Sequence, residues 1–371
     1  MITISLCMIV KNEEEVLERC LASAAGVADE TIVVDTGSTD GTKEIARRCG
    51  AKVFDFAWTD DFAAARNYSF SKASCDYLLW LDADDVLPEQ TRQGLILLRE
   101  KLDPRVDMVL LPYHVAFDAA DRPTFVYYRE RLMRREAGFR WEGEVHEVIA
   151  PAGIRLELPL PVEHRKLKPS EPGRNLRIFE GLLRKGRKLT PRQQLYYARE
   201  LVGAGRDKEA AAAFARFLDD GRGWVEDNIG ACLELAACRE RLGNREEALA
   251  DVFRSFVFDD PRAEACCAAG DILLRSQSWT RAAYWYRLAL SCRAPESRLA
   301  FYRPDFASFY PLLQLCVCYD RLGDRETAES YHRRARALKP EDPAVQYNER
   351  YFASLHGTEQ ESPCKDRGEP V

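Results

Sequence analysis

The chain has 371 residues, of which 46% are apolar and 31% charged, and its formal net charge at pH 7 is −6. A chain of this length can bury a large core, and two domains are the expected number. The acidic balance argues against a protein whose affinity for nucleic acid comes from bulk positive charge.

Short apolar runs alternate with helical segments through the first half of the chain. Beyond Pro88 we predict one helix to Leu102 and then two further strands. Such alternation is typical of a parallel sheet with right-handed crossovers, which predicts an α/β fold for this half. The predicted strands are Ile2–Val10, Thr31–Asp35, Ala51–Phe56, Tyr77–Leu81, Asp107–Phe117 and Thr124–Met133, and the helices before Pro88 lie near 13–25, 44–48 and 62–71.

The segment Tyr77–Asp85 (YLLWLDADD) is the clearest chemical signal in this half. Its apolar run suits a strand buried on both faces, and ligands bind at the carboxyl ends of such strands. The carboxylates of Asp82, Asp84 and Asp85 repel one another unless a positive charge lies among them. A divalent cation that bridges a diphosphate is one explanation. The alternative is an acidic turn that caps the next helix.

Polar residues also follow the first two strands. Asn12, Glu13 and Glu14 come after the first strand, and Asp35 ends the second. Such carboxylates suit hydrogen bonds from a nucleobase N–H or from ribose hydroxyls. The glycine turn at 37–41 is neither a GxGxxG fingerprint nor a Walker motif, and we interpret its Ser, Thr and Asp as helix caps.

The segments IVKNEEE, IVVDTGSTDGT and LWLDADD, in this order, resemble the family 2 inverting glycosyltransferases with a GT-A fold. The resemblance covers roughly residues 1–165. It implies a nucleotide-sugar donor, most often UDP-linked, and a divalent metal ion, Mg²⁺ or Mn²⁺, held by a DxD motif.

The resemblance also implies roles for individual residues in donor binding. Asp35 matches the aspartate that contacts the base, and Glu13 or Glu14 matches an acidic position near the base and ribose, next to Asn12. Asp82 and Asp84 match the DxD motif, with Asp84 preferred as the direct metal ligand. Arg66 resembles part of an ARN element and is expected to contact the diphosphate. Its alternative is an ordinary exposed helix arginine.

A second chemical cluster lies in Phe139–Ile149 (FRWEGEVHEVI), which resembles a G-x-VHE element of a subgroup of these enzymes. The resemblance assigns His146 as a metal or diphosphate ligand. Inverting transfer needs a base to take a proton from the acceptor, and Glu147 and Glu142 are the candidates. Trp141 either stacks on a sugar or fills the core, and we favour the core. In the preceding basic strand, Arg131 or Arg134 is a candidate for reaching a phosphate.

The second half reads as an array of helical repeats. Four segments each combine a helix end, a polar turn and a new helix with alanine at a packed position, and these alanines are Ala210, Ala248, Ala282 and Ala328. The pattern resembles tetratricopeptide repeats, which form surfaces for proteins or peptides. We predict a glycosyltransferase domain at 1–160, a basic linker or helix at 161–192, a repeat domain at 193–356 and a disordered tail at 357–371.

The twelve cysteines contain no CxxC pair. We expect no signal peptide and no transmembrane segment, and therefore a cytoplasmic protein with reduced cysteines. A zinc site at Cys316 and Cys318 is the less favoured alternative, because no second ligand pair has suitable spacing.

Three functions follow for the chain. The first is a metal-dependent inverting transferase that moves a hexose from a UDP-sugar to a peptide or protein acceptor bound through the repeats. The second transfers to a saccharide or lipid-linked acceptor of envelope glycan synthesis. The third is a non-catalytic scaffold that binds a nucleotide sugar. No nucleic-acid partner is expected, and a homodimer is left open.

Overall fold

The computed structural model describes residues 1–118, 121–167, 171–294 and 302–359. The chain divides into two compact units. The first comprises Met1–Ala204, and the second begins at Gly205.

The first unit is built on a sheet in which nine of its described strands are connected. Two further strands, β8 and β9, form a separate antiparallel ribbon. The strands in chain order are β1 Ile4–Val10, β2 Glu30–Asp35, β3 Lys52–Asp55, β4 Tyr77–Trp80, β5 Asp85–Val86, β6 Met108–Phe117, β7 Pro123–Arg134, β8 Trp141–Glu142, β9 Val148–Ile149, β10 Arg155–Glu157 and β11 Val162–His164.

The large sheet runs β3-β2-β1-β4-β7-β6-β11-β5, with β10 also paired to β6. Its first four strands are mutually parallel neighbours, so their carboxyl ends meet along one edge. β7 is antiparallel to both β4 and β6. The predicted mostly parallel α/β sheet is confirmed, and its topological switch lies beside β1 and β4.

Helices pack on both faces of this sheet, whose central strands β1 and β4 are almost entirely apolar and buried. One of these helices begins where its N-cap Asp61 accepts a hydrogen bond from the backbone N–H of Ala64. The helices of the first unit are α1 Leu17–Ser23, α2 Thr42–Arg48, α3 Phe62–Ser71, α4 Glu89–Lys101, α5 Arg174–Arg184 and α6 Pro191–Gly203.

One segment of the predicted linker belongs to the sheet. Val162–His164 is strand β11, which pairs parallel with β6 and antiparallel with β5. Val162 is fully buried there. The strand was not predicted, because the basic residues that follow it gave the segment the composition of a linker. The predicted domain boundaries otherwise stay a prediction.

The second unit is all-helical in its described residues, and successive helices along the chain pack on each other. The four alanines identified from the sequence are fully buried, each as the fourth residue of its helix. The predicted repeat architecture is therefore confirmed. The helices are α7 Asp207–Asp220, α8 Val225–Arg241, α9 Arg245–Arg254, α10 Ala263–Arg275, α11 Trp279–Ala289, α12 Phe309–Arg321, α13 Arg325–Leu338 and α14 Pro343–Glu359.

A ladder of ion pairs shows the period of this array. Five pairs join residues 34 to 36 positions apart, which is one helix-turn-helix repeat. The pairs are Asp207–Arg241, Asp219–Arg254, Glu226–Arg262, Glu240–Arg275 and Asp305–Lys339.

The remaining expectations concern the C-terminal tail, the cysteines and membrane-spanning segments. Residues 357–359 of the predicted disordered tail lie in helix α14, and residues 360–371 lie outside the described residues. The eleven described cysteines are all free, and no potential metal-binding group in the described chain contains a cysteine. No described helix is long and apolar enough to cross a membrane.

Candidate active site

The carboxyl ends of β1, β2 and β4 open into a cleft of about 740 Å³. Most of the predicted site residues lie along it. Those that line the cleft are Asn12, Glu13, Arg66, Asp82, Asp84, His146 and Glu147, whereas Glu14, Asp35 and Glu142 are not part of its lining. Side chains from the predicted strand ends and from the VHE segment (residues 145–147) therefore line the same cleft.

The acidic turn after β4 is held in place by its last residue. Asp85 is fully buried, and its Oδ2 accepts hydrogen bonds from the backbone N–H of Asp82 at 3.0 Å and from Arg131 at 2.8 Å. Its Oδ1 accepts a hydrogen bond from the hydroxyl of Tyr113 at 2.8 Å. Both oxygens of Asp85 are therefore occupied by protein donors, and its role is to hold the turn so that Asp84 is presented.

Asp84 lies against a histidine from β11. The Nδ1 atom of His164 is 3.3 Å from Asp84 Oδ1, 3.5 Å from Asp85 Oδ1 and 2.9 Å from the hydroxyl of Tyr113. Burial lowers the pKa of His164, but its hydrogen bonds with the two aspartates outweigh burial and raise the pKa to about 10.

Asp84, Asp85 and His164 form the one group among the described residues whose donor atoms are close enough together to hold a metal ion. The predicted set was Asp82, Asp84 and His146, and the structure brings neither Asp82 nor His146 into this group. The reason for Asp82 is that its carboxylate is engaged by an arginine.

That arginine is Arg66, which bridges two acids across the cleft. Its Nη2 donates to Asp82 Oδ1 at 2.7 Å and its Nε to Glu147 Oε1 at 2.5 Å. The guanidinium also lies over the rings of Trp80 and Trp141. Burial raises the pKa of Asp82, but Arg66, with a smaller contribution from Arg131, outweighs it and lowers the pKa to about 2. Arg66 is thus a buried cation within the site rather than an exposed helix arginine.

Of the three residues after β1, Asn12 and Glu13 line the cleft, and Asn12 and Glu14 hold the neighbouring backbone. Asn12 has a left-handed backbone (φ 56°), and its Oδ1 accepts a hydrogen bond from Thr39 N at 2.8 Å. Glu14 Oε2 accepts from Gly41 N at 2.8 Å, at the start of α2. Of the two predicted alternatives, Glu13 lines the cleft and Glu14 does not.

Asp35 lies at the end of β2 and is almost fully buried. Its Oδ1 accepts hydrogen bonds from Gly37 N at 3.0 Å and Ser38 N at 2.9 Å. Its Oδ2 is buried and has no hydrogen-bond partner among the described residues. An unpaired buried acceptor is costly, so Asp35 Oδ2 calls for a donor that the described residues do not supply.

His146 lies in the cleft but is held by a helix that follows the sheet. Its Nε2 is 2.8 Å from Glu200 Oε1, and its ring stacks on Tyr196 with centroids 4.0 Å apart. Its backbone is left-handed (φ 52°), an uncommon state for histidine. Of the two predicted bases, Glu147 is paired with Arg66 and Glu142 is exposed on β8.

Other sequence-based alternatives are also decided by the structure. Trp141 is 3% exposed and packs edge-on against Trp80, as favoured. Arg131 is fully buried between Trp80 and Tyr113, and Arg134 pairs with Asp107, so neither reaches the cleft.

Sequence analysis missed two residues of this site, His164 and Glu200. His164 lies two residues after the buried Val162, with two prolines before this segment and a basic run after it. The short apolar segment before His164 was the local sign that a strand lies here. Glu200 carried no local signal, because its relation to His146 depends on how α6 packs.

Taken together, the sheet order and the acids at the strand ends define an α/β domain of the GT-A type with a polar cleft at its strand ends. Residues 5–156 match the family model described as glycosyl transferase family 2. This segment is therefore a family 2 glycosyltransferase domain, as the motifs indicated.

Curated relatives carry names that agree with both halves of the chain. A TPR repeat-containing protein of Synechococcus elongatus is 39% identical over 158 residues, which cover 42% of this chain and 38% of that protein. The SPbeta prophage-derived glycosyltransferase SunS of Bacillus subtilis is 28% identical over 226 residues, covering 56% of this chain and 51% of SunS. The chain thus spans about half the length, or less, of these relatives.

Among solved structures, glucosyl-3-phosphoglycerate synthase from Mycobacterium tuberculosis, in complex with Mn²⁺, UDP-glucose and phosphoglyceric acid, is 25% identical. The match covers 30% of this chain and 44% of that one, with a TM-score of 0.27. This likeness is too low to support an argument about the present chain.

Proposed function

We propose that this protein is a metal-dependent inverting glycosyltransferase that moves a hexose from a UDP-sugar to a peptide or protein acceptor. The observation that carries the proposal is the juxtaposition, in one cleft of a family 2 domain, of the Asp84–His164 pair with Arg66. A carboxylate and an imidazole that could hold a metal ion, beside a fixed arginine, are suited to a diphosphate leaving group.

The donor atoms of Asp84 and His164 fit one divalent ion. Asp84 Oδ1 and His164 Nδ1 lie 3.3 Å apart, so the two atoms would be able to hold one divalent ion once Nδ1 of His164 has given up its proton. Mg²⁺ or Mn²⁺ bound there would supply positive charge to the leaving diphosphate. Asp85 supports this site by holding the turn that presents Asp84, as supporting residues of metal sites commonly do.

Other residues are candidates for binding the base and the ribose of the donor. The orphaned Oδ2 of Asp35 is suited to accept a hydrogen bond from a base N–H, and Glu13 is suited to accept one from ribose. Asn12 and Glu14 support this end by holding the backbone after β1 and the turn before α2. Arg66 belongs at the diphosphate, with Asp82 and Glu147 holding its guanidinium in position.

The acceptor is proposed from the helical unit. Arrays of helix-turn-helix repeats present extended surfaces that bind polypeptides, and a separate unit of this kind has no evident use for a monosaccharide acceptor. A peptide or protein acceptor is therefore favoured over a saccharide or lipid-linked one.

The donor assignment is tested by the release of UDP from UDP-sugars and of GDP from GDP-sugars in the presence of Mn²⁺. Asp84→Ala is expected to lower turnover about 100-fold or more, since the metal contributes several kcal/mol to stabilising the transition state. Asp103→Ala, on an exposed acid outside the cleft lining, is the matched control. Circular dichroism checks that both variants remain folded.

Two results would contradict the proposal. Turnover by the wild type that is unaffected by chelation excludes the metal, and the absence of turnover with every donor favours a non-catalytic scaffold. The acceptor class is then tested by mass spectrometry of peptides, saccharides and lipid-linked sugars incubated with an active donor. A hexose-sized shift on the saccharide alone would overturn the peptide assignment.

A further inference from the structure

His146 has the geometry of one half of a histidine–carboxylate dyad. Its Nε2 lies 2.8 Å from Glu200 Oε1, and Glu200 also accepts a hydrogen bond from Asn175 Nδ2 at 3.0 Å. Burial raises the pKa of Glu200, but these two hydrogen bonds outweigh burial and lower it. Glu200 is thus ionised at neutral pH, so that Nε2 carries a hydrogen and donates it.

The other ring nitrogen is left available. Nδ1 of His146 makes no hydrogen bond within the described part of the chain, and the residue lines the cleft. Tyr196 stacks on the imidazole with an interplanar angle of 19°, which fixes the plane of the ring. A carboxylate that holds one nitrogen protonated and leaves the other as an acceptor is the arrangement that makes histidine a general base.

The two carboxylates expected to act as the base are less suitable. Glu147 is 10% exposed at its side chain and is paired with Arg66 at 2.5 Å. Protonation of Glu147 during transfer would break this pair. Glu142 is exposed on the β8–β9 ribbon and is not part of the cleft lining.

We propose that His146 is the general base of the transfer reaction and that Glu200 is its positioning residue. The inference rests on the proposed function. The acceptor X–H attacks the anomeric carbon, the X–C1 bond forms, and the bond from C1 to the diphosphate oxygen breaks, its electron pair leaving with the nucleotide. The proton of X–H passes to Nδ1 of His146, and Glu200 stabilises the resulting imidazolium.

The loop that carries His146 is built to hold this geometry. His146 occupies a left-handed backbone conformation, which costs free energy and persists where surrounding contacts enforce it. The preceding Glu144 pairs with Arg187 at 2.6 Å and accepts a hydrogen bond from Gln193. Val145 packs into the apolar cluster of α5 and α6. Both helices lie beyond the segment that matches the family model.

The charges that surround the imidazole come from both of these helices. On α6, Arg192 donates to the backbone oxygen of His146 at 3.3 Å, and the guanidinium groups of Arg192 and Arg199 lie over the Tyr196 ring. On α5, Arg174 acts electrostatically on Glu200. Within the loop itself, Glu144 and Glu147 are each paired with an arginine.

The test compares a nucleophile that must lose a proton with one that carries none. His146→Asn keeps a residue that tolerates the left-handed conformation. With an active UDP-sugar and Mn²⁺, we expect its UDP release with water as acceptor to fall about 100-fold, the lower end for general-base catalysis. With azide, an anion that needs no base, glycosyl azide formation is expected to stay close to the wild-type rate. His114→Asn, a histidine of β6 that does not line the cleft, is the matched control.

Glu200 is tested by the pH profile. In the wild type the rate falls at acid pH as the imidazole is protonated, and His146→Asn is expected to lose this limb. Glu200→Gln removes the charge that stabilises the imidazolium, so the limb is expected to move to lower pH while kcat falls. Glu200→Asp should restore part of both. An unaltered limb in Glu200→Gln would contradict a positioning role.

The outcomes separate this inference from the function on which it rests. A His146→Asn variant with unchanged hydrolysis, or with equal losses toward water and azide, overturns the base assignment. Its binding of UDP with Mn²⁺, measured by calorimetry, is expected to match the wild type. A wild-type protein that binds no UDP and turns over no donor overturns the proposed function, and the dyad with it.

Discussion

The two units differ in how their ion pairs are spaced along the sequence. In the sheet unit, buried pairs join residues at unrelated separations, as in Arg66–Asp82, Arg66–Glu147 and Arg131–Asp85, which are 16, 81 and 46 positions apart. In the helical unit, pairs recur every 34 to 36 positions, and they range from the nearly buried Glu226–Arg262 to Asp207–Arg241, whose arginine side chain is 46% exposed. Charge pairs at irregular separations mark the cleft of the sheet unit, whereas pairs at a regular separation mark a repeated structural contact.

The largest expected effect comes from breaking a buried pair of the sheet unit. Arg131 and Asp85 are both fully buried, so Arg131→Met leaves an uncompensated carboxylate. We expect a loss of about 3–5 kcal/mol in the free energy of unfolding, measured with denaturant. The variant should also bind Mn²⁺ more weakly, because Arg131 holds Asp85, and Asp85 holds the turn that presents Asp84. A loss below 1 kcal/mol would show that this buried pair behaves like a surface one.

A second prediction concerns packing in the helical unit. A Cβ atom on Gly270 would lie 2.6 Å from the rigid ring of Tyr286, which is itself fully buried. Gly270→Ala is therefore expected to destabilise the protein by about 1–3 kcal/mol, although alanine favours helix. Gly181→Ala, in α5 with no atom near the added methyl, is the control and should be neutral or stabilising. Equal effects in the two variants would exclude close packing as the cause.

A smaller effect is expected from a strand-end acid outside the cleft. Burial raises the pKa of Glu30, but hydrogen bonds from Lys52, Ser5 and Ser74 outweigh it and lower the pKa to about 2. A depressed folded-state pKa stabilises above the unfolded value near 4.5, and this contribution is lost as the pH falls toward 2.

Glu30→Gln should therefore cost about 1–2 kcal/mol at pH 6 and much less at pH 2.5. Denaturant unfolding of both proteins at the two pH values measures the difference. If Glu30→Gln lowers the free energy of unfolding equally at both pH values, the loss comes from hydrogen bonding rather than from charge.

The smallest effect is expected from the ladder of the helical unit. Arg241→Met removes its pair with Asp207 at an exposed site and should cost less than about 1 kcal/mol. The loss should shrink further in high salt, because exposed charges are screened. Arg131→Met makes the same chemical change in the sheet unit. The losses in the free energy of unfolding of the two variants therefore compare a charge pair of one unit directly with a charge pair of the other. A cost as large as that of Arg131→Met would remove the distinction.

Much of the fold followed from local pattern. The helix Phe62–Ser71 has the bounds predicted for it, and the four repeat alanines are buried as expected. The acids of the DADD turn lie at a strand end, as the abrupt end of the apolar run indicated. Such features depend on the periodicity of neighbouring residues, so one sequence is sufficient to predict them.

The partners of the site residues depended on tertiary structure. His164 meets Asp84 because β11 lies between β6 and β5, and Glu200 meets His146 because α6 packs against the VHE loop. The sequence by itself determined which strand ends carry acids and where the repeats fall. Tertiary structure alone decided which acids hold Arg66, which histidine faces Asp84, and which carboxylate contacts His146. The physical reason is that strand order and helix packing bring together residues whose separation in sequence carries no period.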